Sequence, residues 1–134
     1  MRLTDFRQTV WYLAAALSIG AAALHAWVAP EHFEEWWGYG AFFAFTALAQ
    51  GFFAIALLRT SWRWLIPVGI AGNLFFIALY VVARTAGIPL IGPHAGEVEP
   101  VGGVDVVSKL LELALVLALI PIWRMSSLGA VARK

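Results

Sequence analysis

The feature that most constrains this chain is a set of four apolar runs, each long enough to cross a lipid bilayer. They extend roughly over residues 10–29, 38–58, 64–82 and 104–123. Because a helix rises about 1.5 Å per residue and the hydrocarbon core is about 30 Å thick, about 20 apolar residues suffice for one span. The mean hydropathy of +0.82 is also far above that of soluble domains. We therefore predict an all-α integral membrane protein, with residues 1–134 forming one transmembrane domain of four spans.

The residues that the chain lacks exclude some classes of membrane protein and disfavour others. It contains no cysteine, which excludes structural disulfides, thiolate metal sites and thiol redox chemistry. A multidrug exporter of four short helices typically carries a carboxylate in its first span, and residues 10–29 contain none. Haem ligation between two spans is disfavoured because His25 is the one histidine within a predicted span.

The charged residues divide between the two predicted sides of the membrane. Basic residues flank one set of helix ends, namely Arg2, Arg7, Arg59, Arg63, Arg124, Arg133 and Lys134. By the positive-inside rule these segments and both termini are cytoplasmic, and the other two loops face outward. The outer side then collects all three histidines and six of the eight acidic residues, namely His25, His32, His94, Glu31, Glu34, Glu35, Glu97, Glu99 and Asp105.

The two outward loops differ in length and composition. The first, APEHFEEWWGYG, is short and aromatic, and Pro30 is expected to end the first helix there. The second, RTAGIPLIGPHAGEVEPVGGVD, contains three prolines and five glycines, which rule out a continuous helix and favour tight turns. Because apolar residues are interspersed in it, we expect an ordered cap that folds back over the outer end of the helices.

Small residues indicate how the helices pack. Helices associate in lipid through close backbone approach and polar contacts. One face of the second helix carries small residues at spacings of three and four, namely Gly40, Ala44, Ala47, Gly51 and Ala54. With alanine-rich and glycine-containing neighbours, this pattern predicts a compact antiparallel four-helix bundle.

Each predicted span carries a line of polar residues, and such lines turn inward in a bundle. Glu112 is the most informative of them, because a carboxylate inside a membrane is costly and needs a partner. One interpretation makes it a proton-titrating group or metal ligand reached from outside together with His25. The other ties it to Lys109 or Arg84 as a structural ion pair. The candidates for a ligand site or proton pathway are His25, Asn73, Tyr80, Arg84 and Glu112.

A second candidate site involves the residues of the outer loops. His94, Glu97 and Glu99 form the pattern H-x-x-E-x-E, and His32 lies in the other outer loop. Imidazole and carboxylate ligands suit a divalent transition metal such as zinc, copper(II), manganese or iron. The alternative is that these acids are solvated surface groups.

Two segments resemble a pattern found in small, uncharacterised bacterial four-helix membrane proteins. They are HAWVAPEHFEEWWGYGAFFAFTALAQ and the run from ARTAGIPLIGPHAGEVEPVGG to the fourth span, and the likeness covers roughly residues 20 to 120. The loop pattern GPxAGExEPVG is its most specific part. The resemblance implies the same architecture in a bacterial cell membrane, and it implies no activity.

Three functional hypotheses follow from these patterns. The first is a membrane protein that binds an ion or small ligand at its extracytoplasmic face through a His/Glu cluster, or acts there as an accessory subunit. The second is a membrane enzyme or proton-coupled carrier that uses Glu112 and His25. The third is a structural protein that self-associates or joins a larger membrane complex. The expected partner common to all three is the lipid bilayer, and no nucleic acid is expected.

Overall fold

The computed structural model describes residues 2–131, with side chains described as far as residue 127, and it consists of four helices. They are α1 (Leu3–Glu35), α2 (Trp37–Arg59), α3 (Leu65–Thr85) and α4 (Gly103–Val131). All four are long and apolar enough to cross a membrane. This confirms the prediction of an all-α chain with four helices of spanning length. Arg133 and Lys134, on which part of the predicted topology rests, lie outside the described residues.

The prediction that Pro30 ends the first helix is wrong. Helix α1 continues through Pro30 to Glu35, so the predicted first outer loop is reduced to Trp36 between α1 and α2. Proline inside a helix removes one backbone hydrogen bond and costs about 3 kcal/mol. Contacts of the following turn offset this cost, because the His32 ring stacks on Phe43 of α2 with ring centroids 4.1 Å apart.

Helices α1 and α2 pack against each other along their length in opposite directions. The Trp11 indole N–H donates to the carbonyl oxygen of Leu57, and Ser18 Oγ donates to the carbonyl oxygen of Gln50 at 2.7 Å. The predicted small-residue face of α2 lies partly at this interface. Gly40 and Ala54 are buried, whereas a Cβ on Gly51 would meet no described atom within 4 Å.

The apolar core lies in the half of the molecule that contains the α2–α3 connection. Helix α4 contributes three of its six large side chains, and both α1 and α3 pack on α4. Fully buried members of this core are Ala14, Ala15, Leu57, Leu65, Ile66, Leu115, Leu119 and Ile122. In the opposite half, the buried positions are small or polar, and the polar side chains among them are His25, Thr46, Gln50, Ser108 and Glu112.

The segment between α3 and α4, residues 86–102, forms a series of turns that we call the outer loop. Its glycines Gly87, Gly92 and Gly96 have φ of 74°, 78° and 80°, a conformation that glycine adopts without strain. The Tyr39 hydroxyl of α2 donates to the carbonyl oxygen of Ile91 and accepts from the backbone N–H of His94, both at 3.3 Å. The outer loop is therefore attached to α2 as well as to the helices it connects.

Candidate ligand cavity and its buried carboxylate

Glu112 lies at the centre of a polar cluster built by three helices. Its side chain is completely buried. Oε1 accepts hydrogen bonds from His25 Nε2 at 2.9 Å and from Gln50 Nε2 at 3.0 Å. Oε2 accepts from Lys109 Nζ at 2.6 Å. The carboxylate thus has the partners that a charge buried in a membrane requires.

Helical periodicity explains why these side chains meet. On α1, His25 continues an inward face whose other members are Ala14, Ser18 and Ala21, at spacings of three and four. On α4, Glu112 lies on the same inward face as Ser108 and Leu115. On α2, Gln50 is four residues after Thr46 and four before Ala54, all of them buried.

The hydrogen bond to Glu112 also determines what His25 offers to its surroundings. A carboxylate can only accept, so Nε2 carries the proton that is donated to Oε1. In a neutral imidazole, Nδ1 then keeps a free lone pair, and this atom finds no hydrogen-bond partner among the described residues. A carboxylate holding an imidazole in one tautomer is the arrangement that prepares histidine to accept a proton or bind a ligand.

His25 and Lys109 line a cavity of about 180 Å³ between the outer halves of the helices. Its walls are largely aromatic and aliphatic, because Phe42 and Phe43 of α2 face Phe76 and Leu79 of α3 across it. Thr46 and Ser108 also contribute to its lining, and the outer loop contributes Ile88, Ile91 and His94. A mostly apolar cavity with a few convergent polar groups is the usual form of a small-molecule site.

Two polar atoms of the cavity lining are buried without a partner. Within the described part of the chain, neither the Tyr80 hydroxyl nor Arg84 Nε makes a hydrogen bond. The Tyr80 ring lies close to two cations, with Arg84 Cζ 4.8 Å and Lys109 Nζ 5.8 Å from its centroid. Leaving a buried donor unpaired costs about 1–3 kcal/mol. The cavity lining therefore contains polar atoms whose hydrogen bonds are not satisfied by the described residues.

A wider cavity of about 530 Å³ lies beneath the outer loop and shares part of the lining of the first, including His32, Glu35, Tyr39 and Arg84. The Arg84 guanidinium pairs with Glu99 through one nitrogen and with Asp105 through another, the latter at 2.7 Å. These ion pairs fasten the outer loop and the start of α4 to the end of α3.

The candidate metal ligands do not converge on one point. His94 Nδ1 pairs with Glu97 at 3.1 Å, while Glu99 pairs with Arg84. His32 Nδ1 pairs separately with Glu35 at 3.2 Å. Among the residues that the structure describes, no group of three or more histidine and acidic side chains is arranged to hold a metal ion. The H-x-x-E-x-E pattern thus yields one His–Glu pair and one Arg–Glu pair.

The structure brings together most of the candidates for a ligand site or proton pathway. His25 and Glu112 are in contact, and Tyr80 and Arg84 line the same cavity. Asn73 is buried away from it and donates to the Gly69 carbonyl oxygen at 2.8 Å. The alternative pairing of Glu112 with Lys109 is observed, whereas Arg84 pairs with other acids.

Gln50 and Lys109 are the residues of the cluster that were not among the predicted site residues. The sequence offered a signal for each of them. Gln50 forms an i, i+4 polar pair with Thr46 in an otherwise apolar span, and Lys109 precedes Glu112 by three positions on α4.

Comparison of this chain with protein-family models, with curated proteins and with solved structures gives no match. The functional conclusion therefore depends on the geometry of the cavity and its buried cluster.

Proposed function

We propose that this protein is an integral membrane protein that binds a small ligand at its extracytoplasmic face, in the cavity that His25 and Lys109 line. Both termini are cytoplasmic, and the outer loop covers the outer mouth of an antiparallel four-helix bundle in a bacterial cell membrane. The basic residues at the opposite helix ends support this orientation. The resemblance to small four-helix membrane proteins with the same loop pattern supports the location.

One observation carries the proposal: in a cavity walled by aromatic rings, the buried Tyr80 hydroxyl has no hydrogen-bond partner among the described residues, and a histidine held by a carboxylate lines the same cavity. Polar groups at this depth are costly unless they are satisfied, since lipid supplies no hydrogen bonds. A ligand that fills the cavity satisfies the hydroxyl and removes this cost.

The lining favours an organic ligand over a metal ion. The carboxylate of Glu112 already accepts three hydrogen bonds, so binding a cation would require it to exchange these partners. The walls formed by Phe42, Phe43 and Phe76 present apolar surface, which suits carbon rather than a hydrated ion.

A cavity-filling substitution tests the proposal. Leu79→Trp places an indole in the cavity, whereas Leu74→Trp, on the same helix, adds an indole at an exposed position. We expect a cryo-electron microscopy map of the protein in lipid nanodiscs to show density between His25 and Tyr80. The density should persist in Leu74→Trp and be lost in Leu79→Trp. An empty cavity in the unaltered protein, or identical density in both variants, would contradict the proposal.

The geometry of His25 favours a second candidate, a membrane enzyme or proton-coupled carrier. Its Nε2 is held by Glu112, and Nδ1 is left to exchange a proton with a molecule in the cavity. Proton uptake or release on ligand binding, measured with a pH dye in weakly buffered nanodiscs, is expected to be lost in His25→Gln. Ligand binding without any proton change would leave only the binding function.

Self-association and an accessory role in a larger complex stay predictions. The oligomeric mass of the purified protein in mild detergent tests them. Gly51 and Gly72 are suited to close contact with another chain because each has empty space where a side chain would lie.

A further inference from the structure

We infer that the ligand is a single-chain amphiphile with a hydrogen-bond-accepting headgroup of the carboxylate class, and that it enters from the lipid between the outer halves of α2 and α3. This inference rests on the proposed function and names the substrate class of the same cavity. It follows from the wall of the cavity, its size and the character of its polar groups.

The wall between α2 and α3 is the thinnest boundary of the cavity. These two helices make far less contact than α1 makes with α2 or α3 with α4. In the core half they are joined where Phe53 packs against Gly69. In the outer half, the Phe42 and Phe76 rings meet edge to face with centroids 6.3 Å apart. Phe42 lines the cavity and is 37% exposed, so we take this aromatic pair as the boundary between the cavity and lipid.

The size of the cavity requires most of an amphiphile to lie outside it. A cavity of about 150 Å³ is known to hold a benzene molecule. The present cavity, at about 180 Å³, accepts a headgroup and the first few carbons of a chain. The remainder of a longer chain must pass between α2 and α3, where it lies among exposed apolar residues such as Phe45 and Phe75.

The free polar groups of the cavity are mainly donors. The Tyr80 hydroxyl and Arg84 Nε are unpaired within the described residues. The Lys109 ammonium donates one of its three hydrogens to Glu112. Most acceptors nearby are already used, since Glu112 has three donors and Asp105 and Glu99 hold Arg84, which leaves His25 Nδ1 as the ring acceptor without a described partner. A headgroup that only accepts, such as a carboxylate, therefore matches these groups better than one that must donate.

The two remaining acids of the lining do not oppose an anionic headgroup. Glu35 and Glu97 each pair with a histidine, His32 and His94 respectively. The Glu97 side chain is 69% exposed, so water screens its charge. The cations Arg84 and Lys109 both lie beside Tyr80, with Cζ 4.8 Å and Nζ 5.8 Å from its ring centroid.

Specific contacts hold the outer loop over the water side of the cavity. Tyr39 binds the outer loop at Ile91 and at His94, and the Arg84 ion pairs lie between this cavity and the wider one beneath the loop. A chain that enters from water passes the exposed polar side chains of His94 and Glu97, whereas one that enters from lipid passes two phenylalanine rings.

Binding measurements test the ligand class. Radiolabelled dodecanoate is added to the protein in nanodiscs, with dodecanol and butyrate as competitors that lack the carboxylate or the long chain. We expect unlabelled dodecanoate to compete well and the other two to compete poorly. Tyr80→Phe should weaken dodecanoate binding roughly 3- to 10-fold, the value of one hydrogen bond. The control Tyr12→Phe removes a hydroxyl from an exposed tyrosine and should leave binding unchanged.

If butyrate competes as well as dodecanoate, the inferred requirement for a long chain is wrong. If dodecanol competes as well as dodecanoate, the inferred carboxylate headgroup is wrong. Neither result would remove ligand density from the cavity, so the proposed function would survive both. Loss of the density difference between Leu79→Trp and Leu74→Trp would instead remove the proposed function itself.

Cross-linking tests the route by which the ligand enters. Because the sequence contains no cysteine, a thiol reagent reacts only with the introduced residues. A bifunctional thiol reagent joins α2 to α3 in Phe42→Cys/Phe76→Cys, and joins the outer loop to α2 in Tyr39→Cys/Ile91→Cys. Each variant without the reagent is its own control. We expect the first cross-link to slow dodecanoate binding at least 10-fold and the second to leave it unchanged. The reverse pattern would show entry from water, and no effect of either cross-link would equally overturn the lateral route.

Discussion

His25 Nε2 lies 2.9 Å from Glu112 Oε1, and this contact joins residues 87 positions apart in the chain. It connects α1 to α4 at the level where apolar packing gives way to polar side chains. Because Gln50 of α2 donates to the same oxygen at 3.0 Å, one carboxylate group joins three helices. The contacts of Glu112 therefore tie these three helices together next to His25 and Lys109, which line the cavity.

Replacing the carboxylate should destabilise the protein. In Glu112→Gln the Lys109 ammonium, only 15% exposed, loses its counter-charge at 2.6 Å. Breaking one side of a buried ion pair costs about 3–5 kcal/mol. Denaturation of the purified protein in mixed micelles, followed by circular dichroism, measures the change in the free energy of unfolding.

The double variant Glu112→Gln/Lys109→Met is the matched control, because it removes the uncompensated charge as well. We expect it to recover part of the lost stability. If the single and double variants unfold alike, the Lys109 contact contributes little, and the hydrogen bonds from His25 and Gln50 hold the carboxylate.

Two glycines of α3 should respond oppositely to alanine. A Cβ on Gly69 would overlap the Phe53 ring and lie 2.8 Å from Leu119 Cδ1, whereas a Cβ on Gly72 would meet no described atom within 4 Å. We expect Gly69→Ala to destabilise the protein by about 1–3 kcal/mol through overpacking. Gly72→Ala should be neutral or stabilising by up to about 1 kcal/mol, because alanine favours the helix. Unfolding in micelles measures both, and similar values would contradict the packing of α3 on α2 and α4.

Two glycines of the outer loop separate crowding from backbone conformation. Gly87 and Gly96 have nearly equal φ, 74° and 80°. A Cβ on Gly87 would lie 2.7 Å from backbone atoms of Gly96 and Glu97, and one on Gly96 would meet no described atom within 4 Å. Both alanine variants bear the cost of a positive φ, about 1 kcal/mol, and Gly87→Ala bears the crowding as well. The rate of amide hydrogen exchange across residues 88–99 should therefore increase more in Gly87→Ala than in Gly96→Ala. Equal rates in the two variants would show that the loop does not fold back on itself.

Labelling tests the proposed topology directly. Ala95→Cys introduces the only thiol of its chain, in an exposed turn of the outer loop. We expect a membrane-impermeant maleimide to label it in intact cells. The control Ser61→Cys, exposed in the α2–α3 connection, should react only after the membrane is opened. The reverse labelling would place both termini outside and remove the extracytoplasmic site.

The four helices could be predicted from the sequence because apolar length is a local property, and each predicted span lies within or close to an observed helix. The end of α1 could not. Pro30 is locally a stop signal, but stacking of His32 on Phe43 of α2 favours continuation of the helix. That contact exists only after α1 and α2 have packed, so no local pattern contains it.

The candidate site was predictable in part. Glu112 was identified because a carboxylate within a span needs a partner. His25 was identified because it is the one histidine within a predicted span. Of the three partners predicted for Glu112, His25 and Lys109 contact it, whereas Arg84 pairs with Glu99 and Asp105. Gln50 was missed because an amide carries no charge and its spacing from Thr46 indicates only a shared face.

The sequence by itself determined that this chain is all-α, that its helices are long enough to span a bilayer, and that its polar side chains cluster toward one end of them. These properties depend on composition and periodicity along single helices. Only the tertiary structure decided that Glu112 meets His25 and Gln50, and that His94 and Glu99 take separate partners. It also decided that the Tyr80 hydroxyl borders a cavity with no hydrogen-bond partner in residues 2–127. The physical reason is that a hydrogen bond requires its two atoms within about 3 Å, which depends on the rotation of each helix about its axis and on the packing of the helices together.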